Sequence, residues 1–340
     1  MKAFYSDRQM RHRPTRSFYR GRFTAAHENP ERVACLQRAL ERAGCVTSEP
    51  KDAGLAPILA VHDSGYVEFV RDAWMRWRVD GAHGEVIPNV FPPSRESVGD
   101  RTGLPVLAQA GVYMGDLSCP IGEGTFEGAY WSAQAAVSAA DAVLAGEALA
   151  LAVCRPPGHH AQRDRASGYC FFNNAAIAAT RLRERFERVA IVDFDMHHGD
   201  GTQAIFYTRA DVLTASTHAD PRDTFPFYSG AADEGGAGAG LGANFNIPLP
   251  AGADDDTFVA AVAALFERAS TFGAQALVIA AGWDAHGDDP LSPFDITSAA
   301  YTRIARLMRA QSLPTVIVQE GGYHHGAIED ALLGFLGGLA

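Results

Sequence analysis

Five short apolar segments, each followed at once by polar and titratable residues, constrain the fold of this chain more than any other feature. Each segment has the length of a strand and is apolar without alternation, as in strands buried on both faces of a parallel sheet. Helix-like stretches separate the segments, so the sequence predicts an α/β fold with helices on both faces of the sheet. The predicted strands span 148–153, 189–192, 212–215, 276–281 and 315–318, and predicted helices span 174–186, 254–271 and 298–310.

Composition excludes several classes of protein. The 340 residues are 47% hydrophobic with a formal net charge of −11, so we expect neither a disordered chain nor a nucleic-acid-binding surface. No apolar segment reaches the roughly 18 residues of a membrane span. The first eight residues are charged and lack an apolar signal core, so we expect a cytoplasmic protein that does not bind membranes. The five cysteines are scattered without a C-x-x-C pair, which argues against a disulfide framework or a thiolate zinc site.

The residues that follow the apolar segments indicate a metal site. In open α/β sheets the ligand crevice lies at the carboxyl ends of the strands, where these residues would meet. Asp193, Asp195 and His197 alternate in sequence, so they can share one face, and Asp284 follows another predicted strand. Two carboxylates, one imidazole and an open position are typical of a catalytic zinc site, although Fe²⁺ or Co²⁺ would also fit.

Two histidines and a tyrosine complete a predicted hydrolytic site. His159 and His160 follow a stiff Pro-Pro-Gly turn, and imidazoles can take a proton from water or give one to a leaving amine. Asp193 and Asp200 are nearby carboxylates that could fix the tautomers of these histidines. Tyr323 follows two glycines, and its hydroxyl could donate to a developing oxyanion. Together these groups predict metal-assisted hydrolysis of a carbonyl compound.

Four motifs stand in order along the chain: Pro-Pro-Gly-His-His at 156–160, Asp-x-Asp-x-His-His-Gly-Asp-Gly at 193–201, Gly-x-Asp-Ala-His at 282–286 followed by Asp-Pro-Leu at 289–291, and Glu-Gly-Gly-Tyr at 320–323. Together they resemble the zinc-dependent histone deacetylase family. The resemblance covers the chain from about Tyr66 to Gly322 and implies one arginase/deacetylase-like catalytic domain over 1–340, with a central eight-stranded parallel sheet.

The resemblance also implies a role for individual residues. It implies zinc ligands at Asp195, His197 and Asp284 and an oxyanion donor at Tyr323. It implies that His160 is the general base, supported by the carboxylate of Asp200. It implies that His159 is the acid for the leaving amine, supported by the carboxylate of Asp193. It implies a narrow substrate tunnel lined by Gly168, Tyr169, Phe225 and Leu291, and a potassium ion held around Asp193, Asp195, His197 and Ser216.

Within that family the chain is similar to the bacterial acetylpolyamine amidohydrolases. That branch has a long insertion, which matches residues 72–121 of this chain and includes Trp74 and Trp77. Four prolines between 86 and 111 predict a long loop there. The resemblance implies that the insertion mediates homodimerisation and narrows the tunnel for slender cationic substrates, and that Asp116 pairs with a substrate ammonium group.

The sequence therefore predicts removal of acetyl groups from acetylated polyamines or similar small cationic acetyl-amines. Deacetylation of acetyl-lysine proteins or other small acetyl-amines uses the same catalytic residues and stays open. An arginase-type ureohydrolase is less favoured, because Asp284-Ala285-His286 replaces the Asp-x-Asp that a second manganese ion needs. A non-catalytic binder of acetylated amines is also less favoured, since the ligands, the base and the tyrosine are all present.

Overall fold

The computed structural model describes residues 1–19, 21–95, 97–101 and 103–340, and eight of its strands form one parallel sheet. The strand order is β4-β1-β5-β10-β9-β6-β7-β8, and β2 and β3 form a separate antiparallel pair. The strands are β1 Lys2–Phe4, β2 Arg16–Tyr19, β3 Arg22–Ala25, β4 Val46–Ser48, β5 Leu149–Ala152, β6 Val189–Asp193, β7 Val212–Ala219, β8 Asn244–Leu249, β9 Ala276–Ala281 and β10 Thr315–Gln319.

Helices cover both faces of the sheet. Within the described ranges, no helix is both long enough and apolar enough to span a membrane. The helices are α1 Glu31–Arg42, α2 Ala56–Leu59, α3 Ser64–Val79, α4 Val106–Tyr113, α5 Thr125–Leu144, α6 Asn174–Leu182, α7 Asp200–Phe206, α8 Asp255–Phe272, α9 Ser298–Ala310 and α10 His325–Gly338.

The eight-stranded parallel sheet predicted from the sequence is confirmed, and all five predicted strands belong to it. The central strand β9 explains why they were recognisable. All six of its residues are buried, with Val278 in the core under α5 and α6 and Ile279 in the core under α8, α9 and α10. A strand that packs against helices on both faces needs apolar residues at every position, and this gives a continuous apolar segment.

The region 72–121 contains more helix than its prolines suggest. The prediction of a loop over 86–111 is wrong at its end, because α4 begins at Val106 directly after Pro105. Proline is compatible with this position, since the first residues of a helix have no intrahelical partner for their N–H groups. Trp74 and Trp77 lie at the end of α3 and pack partly buried against the core, and the Trp77 Nε1 donates to the Gly84 carbonyl at 3.1 Å.

Candidate active site

The carboxyl ends of β6 and β9 bring Asp195, His197 and Asp284 together. The Nδ1 atom of His197 lies 3.3 Å from Oδ1 of Asp195 and 3.1 Å from Oδ2 of Asp284. One ligand atom from each of the three residues lies within 4.8 Å of the others. Neither aspartate side chain is exposed to solvent. The residues predicted as metal ligands thus form one compact, buried cluster.

Backbone groups hold the two carboxylates in place. Oδ2 of Asp195 accepts a hydrogen bond from the Gly321 N–H at 2.8 Å, and Oδ1 of Asp284 accepts one from the Met196 N–H at 3.1 Å. A Cβ atom at Gly321 would overlap Oδ2 of both aspartates, so only glycine leaves this space clear. The close approach of this turn to the two carboxylates therefore depends on Gly321.

The electrostatics of the cluster fit a bound cation. Burial lowers the pKa of His197, but its hydrogen bonds with Asp195 and Asp284 outweigh burial and raise that pKa to about 9. Two buried carboxylates that face one imidazole attract either a proton or a metal ion. Carboxylate oxygens and an imidazole nitrogen are ligands of zinc and related divalent ions. Asp195, His197 and Asp284 can therefore hold a divalent metal ion.

Each histidine of the pair after β5 has its own carboxylate. Nδ1 of His159 lies 3.0 Å from Oδ2 of Asp193, and Nδ1 of His160 lies 2.8 Å from Oδ1 of Asp200. The two imidazole rings are 4.0 Å apart, centroid to centroid. A carboxylate at Nδ1 fixes the orientation of the ring and leaves Nε2 for chemistry.

The surroundings shift the pKa values of the two histidines in opposite directions. Burial and the neighbouring charge of His159 lower the pKa of His160 to about 4, against the effect of Asp200. Burial also disfavours the charged form of His159, but Asp195 and Asp193 outweigh it and hold the pKa of His159 well above its usual value. Burial and the charge of His159 thus favour the neutral form of His160, whereas the carboxylates around His159 favour its charged form, as a base and an acid respectively require.

Glu320 holds the turn that carries the histidines, a contact that the sequence did not indicate. Its Oε2 accepts hydrogen bonds from the Gly158 N–H at 2.6 Å and the His159 N–H at 3.1 Å. The side chain is fully buried, and burial raises its pKa to about 7. Glu320 belongs to the Glu-Gly-Gly-Tyr motif, so the motif was visible in the sequence but this contact was not.

Tyr323 is held by residues far from it in sequence. Oδ2 of Asp289 accepts hydrogen bonds from the Tyr323 N–H at 2.6 Å and the His324 N–H at 3.0 Å. The guanidinium carbon of Arg32 lies 4.8 Å from the centre of the Tyr323 ring, and Arg32 forms a buried ion pair with Glu28 at 3.0 Å. Glu28 and Arg32 are four residues apart, but Glu28 precedes α1, so their ion pair is not the i,i+4 contact on one helix that a sequence pattern would reveal. Burial raises the pKa of Tyr323 well above its usual value, so its hydroxyl stays a donor.

A cavity of about 340 Å³ opens onto these groups. Its wall includes the catalytic candidates His160, His197 and Tyr323. All residues predicted to contact substrate also line it, namely Asp116, Gly168, Tyr169, Phe225 and Leu291. Gly168 has φ of +53°, and a Cβ atom at this position would overlap Cδ2 of His160, so a side chain there would be strained and would displace the histidine.

Ser216, the remaining candidate for a potassium site, lies beside Asp193. The two residues pair in register on β7 and β6. The Ser216 hydroxyl is 2.8 Å from Nδ1 of His218, and His218 in turn lies 2.9 Å from the Gly230 carbonyl. The potassium site stays a prediction.

Comparisons with known proteins agree with this geometry. The sequence profile of the histone deacetylase domain matches residues 26–339. The chain is 44% identical to an acetylpolyamine amidohydrolase of Burkholderia pseudomallei, over 100% of this chain and 98% of that protein, and 40% identical to one of Mycoplana ramosa, over 94% of each. A crystal structure of acetylpolyamine aminohydrolase from Burkholderia pseudomallei superimposes with a TM-score of 0.95 and 45% identity, covering 99% of this chain and 98% of that chain. The chain therefore belongs to the histone deacetylase family.

Proposed function

We propose that this protein is a zinc-dependent amidohydrolase that removes acetyl groups from acetylated polyamines. One observation carries the proposal: a cavity reaches His160, His197 and Tyr323, and the two buried aspartates of the Asp-His-Asp cluster and the second carboxylate-supported histidine lie directly behind them. The names of the relatives at 40 to 44% identity support the polyamine substrate. The reaction yields acetate and a free amine.

The proposed mechanism uses each group of the site once. A divalent ion held by Asp195, His197 and Asp284 would polarise the acetyl carbonyl and lower the pKa of water. His160 accepts a proton from the attacking water, because its Nδ1 is bound to Asp200 and its ring is neutral. Tyr323 donates a hydrogen bond to the carbonyl oxygen as negative charge develops there.

His159 completes the reaction as the acid. Its Nδ1 is bound to Asp193, and its protonated form is stabilised by the surrounding carboxylates. It donates a proton to the leaving nitrogen when the carbon–nitrogen bond breaks. The product is a neutral amine, which takes a further proton in water and leaves as an ammonium ion.

The dimensions of the cavity favour a slender substrate. Its volume of about 340 Å³ lies at the lower end of the range for ligand sites. Tyr169, Phe225 and Leu291 form apolar walls that suit a chain of methylene groups. A protein lysine would also place methylene groups there, so only a rate comparison separates the two substrates.

The test is a side-by-side measurement of kcat/KM on zinc-loaded protein. N-acetylputrescine represents the polyamines, and an acetyl-lysine peptide with bulky flanking residues represents proteins. We expect a clearly higher kcat/KM for N-acetylputrescine. We also expect removal of the metal with a chelator to abolish both activities, and addition of zinc to restore them. Equal or faster turnover of the peptide would contradict the polyamine assignment while keeping the deacetylase chemistry.

Several finer features belong to the same proposal and stay predictions. They are zinc rather than Fe²⁺ or Co²⁺ as the native metal, a potassium ion near Ser216, one catalytic domain over 1–340 with an insertion at 72–121, a homodimer formed through that insertion, and a cytoplasmic location.

A further inference from the structure

Asp116, the residue expected to bind a substrate ammonium, has its oxygens occupied within the protein. Oδ1 accepts hydrogen bonds from the N–H and the hydroxyl of Ser118, at 2.8 and 2.6 Å. Oδ2 accepts hydrogen bonds from the Ser167 hydroxyl and the Gly168 N–H, both at 2.9 Å. A carboxylate offers about four lone-pair sites, so these four donors leave little capacity for a substrate.

These contacts instead support the cavity wall. Gly168 and Tyr169 both have positive φ, at +53° and +70°, and the second value is unusual for a residue with a side chain. Asp116 binds the Gly168 N–H, and the Ser118 hydroxyl accepts from the Tyr169 N–H at 3.3 Å. Asp116 thus stabilises a turn that would otherwise be unfavourable and that holds the Tyr169 ring in the wall.

A second carboxylate, Asp223, lines the same cavity from another loop. Asp223 is exposed, and among the described residues no side chain or backbone group forms a hydrogen bond or ion pair with its carboxylate. The adjacent cation is already paired: Nε of Arg222 lies 2.9 and 3.0 Å from the two oxygens of Asp220. Asp223 therefore keeps its negative charge available at the cavity.

The rest of the wall also suits a cation. Among the described residues that line the cavity, none is lysine or arginine. The aromatic rings of Phe18, Tyr169, Phe225 and Phe227 also line it, and the faces of such rings attract cations. One unpaired carboxylate among aromatic rings would bind an ammonium group on a flexible chain.

We propose that Asp223 recognises the ammonium group of the acetylated amine, while Asp116 is a positioning residue for the wall at Gly168 and Tyr169. This assignment rests on the proposed function, because it requires a substrate with an acetyl amide at one end and an ammonium group at the other. Asp223 would then determine specificity through KM, without taking part in the chemistry.

The experiment compares N-acetylputrescine with N-butylacetamide, which has the same methylene chain but no ammonium group. For Asp223→Asn we expect kcat/KM on N-acetylputrescine to fall by roughly three- to ten-fold, mainly through a rise in KM. The effect is modest because solvent screens the lost hydrogen bond between the Asp223 carboxylate and the substrate ammonium. Turnover of N-butylacetamide should not change. The matched control is Asp233→Asn, which removes the same charge from an exposed residue of the same loop outside the cavity wall and should change neither substrate.

Asp116→Asn separates the two roles. It should lower kcat/KM for both substrates by a similar factor, because a disturbed wall does not depend on substrate charge. An equal loss on both substrates in Asp223→Asn, or a loss confined to the cation in Asp116→Asn, would overturn the assignment. If the unmodified enzyme hydrolyses neither amide, the proposed function itself fails, and the assignment fails with it.

Discussion

The floor and the rim of the cavity are built in different ways. The floor lies at the strand ends and is mostly buried, and backbone N–H groups bind its carboxylates. The rim comes from loops between the strands and is partly exposed. The floor consists of the lining residues His160, His197 and Tyr323 together with His159, Asp195 and Asp284, which contact them from behind. The rim consists of Asp116, Gly168, Tyr169, Asp223, Phe225 and Leu291.

This difference separates chemistry from selectivity. Groups that move protons or hold a metal must be fixed accurately, and buried strand ends provide that rigidity. Loops change more easily in sequence and shape, so they suit the choice of substrate. Floor substitutions should therefore lower kcat for every substrate, whereas substitutions of rim residues that contact the substrate should alter KM and the ranking of substrates.

The largest effect is expected from Asp284→Asn in the floor. Loss of one carboxylate would weaken the proposed metal site, so we expect substoichiometric metal and a fall in kcat of about a thousand-fold or more. Metal content by elemental analysis and kcat on N-acetylputrescine measure this. Asp288→Asn is the matched control, since that side chain is 72% exposed and lies outside the cluster. Full metal content in Asp284→Asn would contradict the ligand assignment.

Tyr323→Phe should lower kcat by about 100- to 1000-fold with little change in KM, because it removes the proposed oxyanion donor. The measurement is steady-state kinetics on N-acetylputrescine and on the acetyl-lysine peptide, and both should fall equally. Tyr228→Phe serves as control, since Tyr228 is 96% exposed and should have no effect. A change in KM alone would mean that Tyr323 contributes to substrate binding, as the rim residues do, and not to the chemical step.

Arg32→Ala tests how the floor is supported. It leaves the buried Glu28 without one of its partners and removes a donor to the Glu320 carbonyl, so the free energy of unfolding should fall by about 3 kcal/mol. Urea denaturation measures this. Arg38→Ala in the same helix is the control, because its ion pair with Glu329 lies at the surface and its loss should change stability little. Equal stability of the two variants would show that the buried network does not stabilise the floor.

Leu291→Ala in the rim should have the smallest effect. A wider cavity should raise kcat/KM for the acetyl-lysine peptide relative to N-acetylputrescine by about ten-fold at most, while kcat on the polyamine stays within a factor of a few. Leu241→Ala is the control, since Leu241 is 75% exposed and does not line the cavity. A large fall in kcat on both substrates would mean that Leu291 supports the floor instead.

Parts of the fold were recognisable in the sequence because burial on both faces leaves a continuous apolar segment, as in β9. The edge strands β4 and β8 lack that signal: all three residues of β4 are exposed, and β8 contains two asparagines and a proline. The first strand, β1, has only three residues and lies in a charged segment, so it has no continuous apolar segment of strand length. Strands that pack on one side or pair at an edge need few apolar residues, so local composition does not reveal them.

The sequence by itself determined five strands of the sheet, the metal-ligand candidates and the two histidines, because these depend on continuous apolar segments and on the residues that directly follow them. Only the tertiary structure showed that Arg32 contacts the Gly322 carbonyl 290 residues away, that Glu320 holds the histidine turn, and that the oxygens of Asp116 are occupied. Hydrogen-bond partners distant in sequence leave no local pattern. Whether a carboxylate at the rim is free or already bound is decided by how the loops pack, and that is known only once the chain has folded.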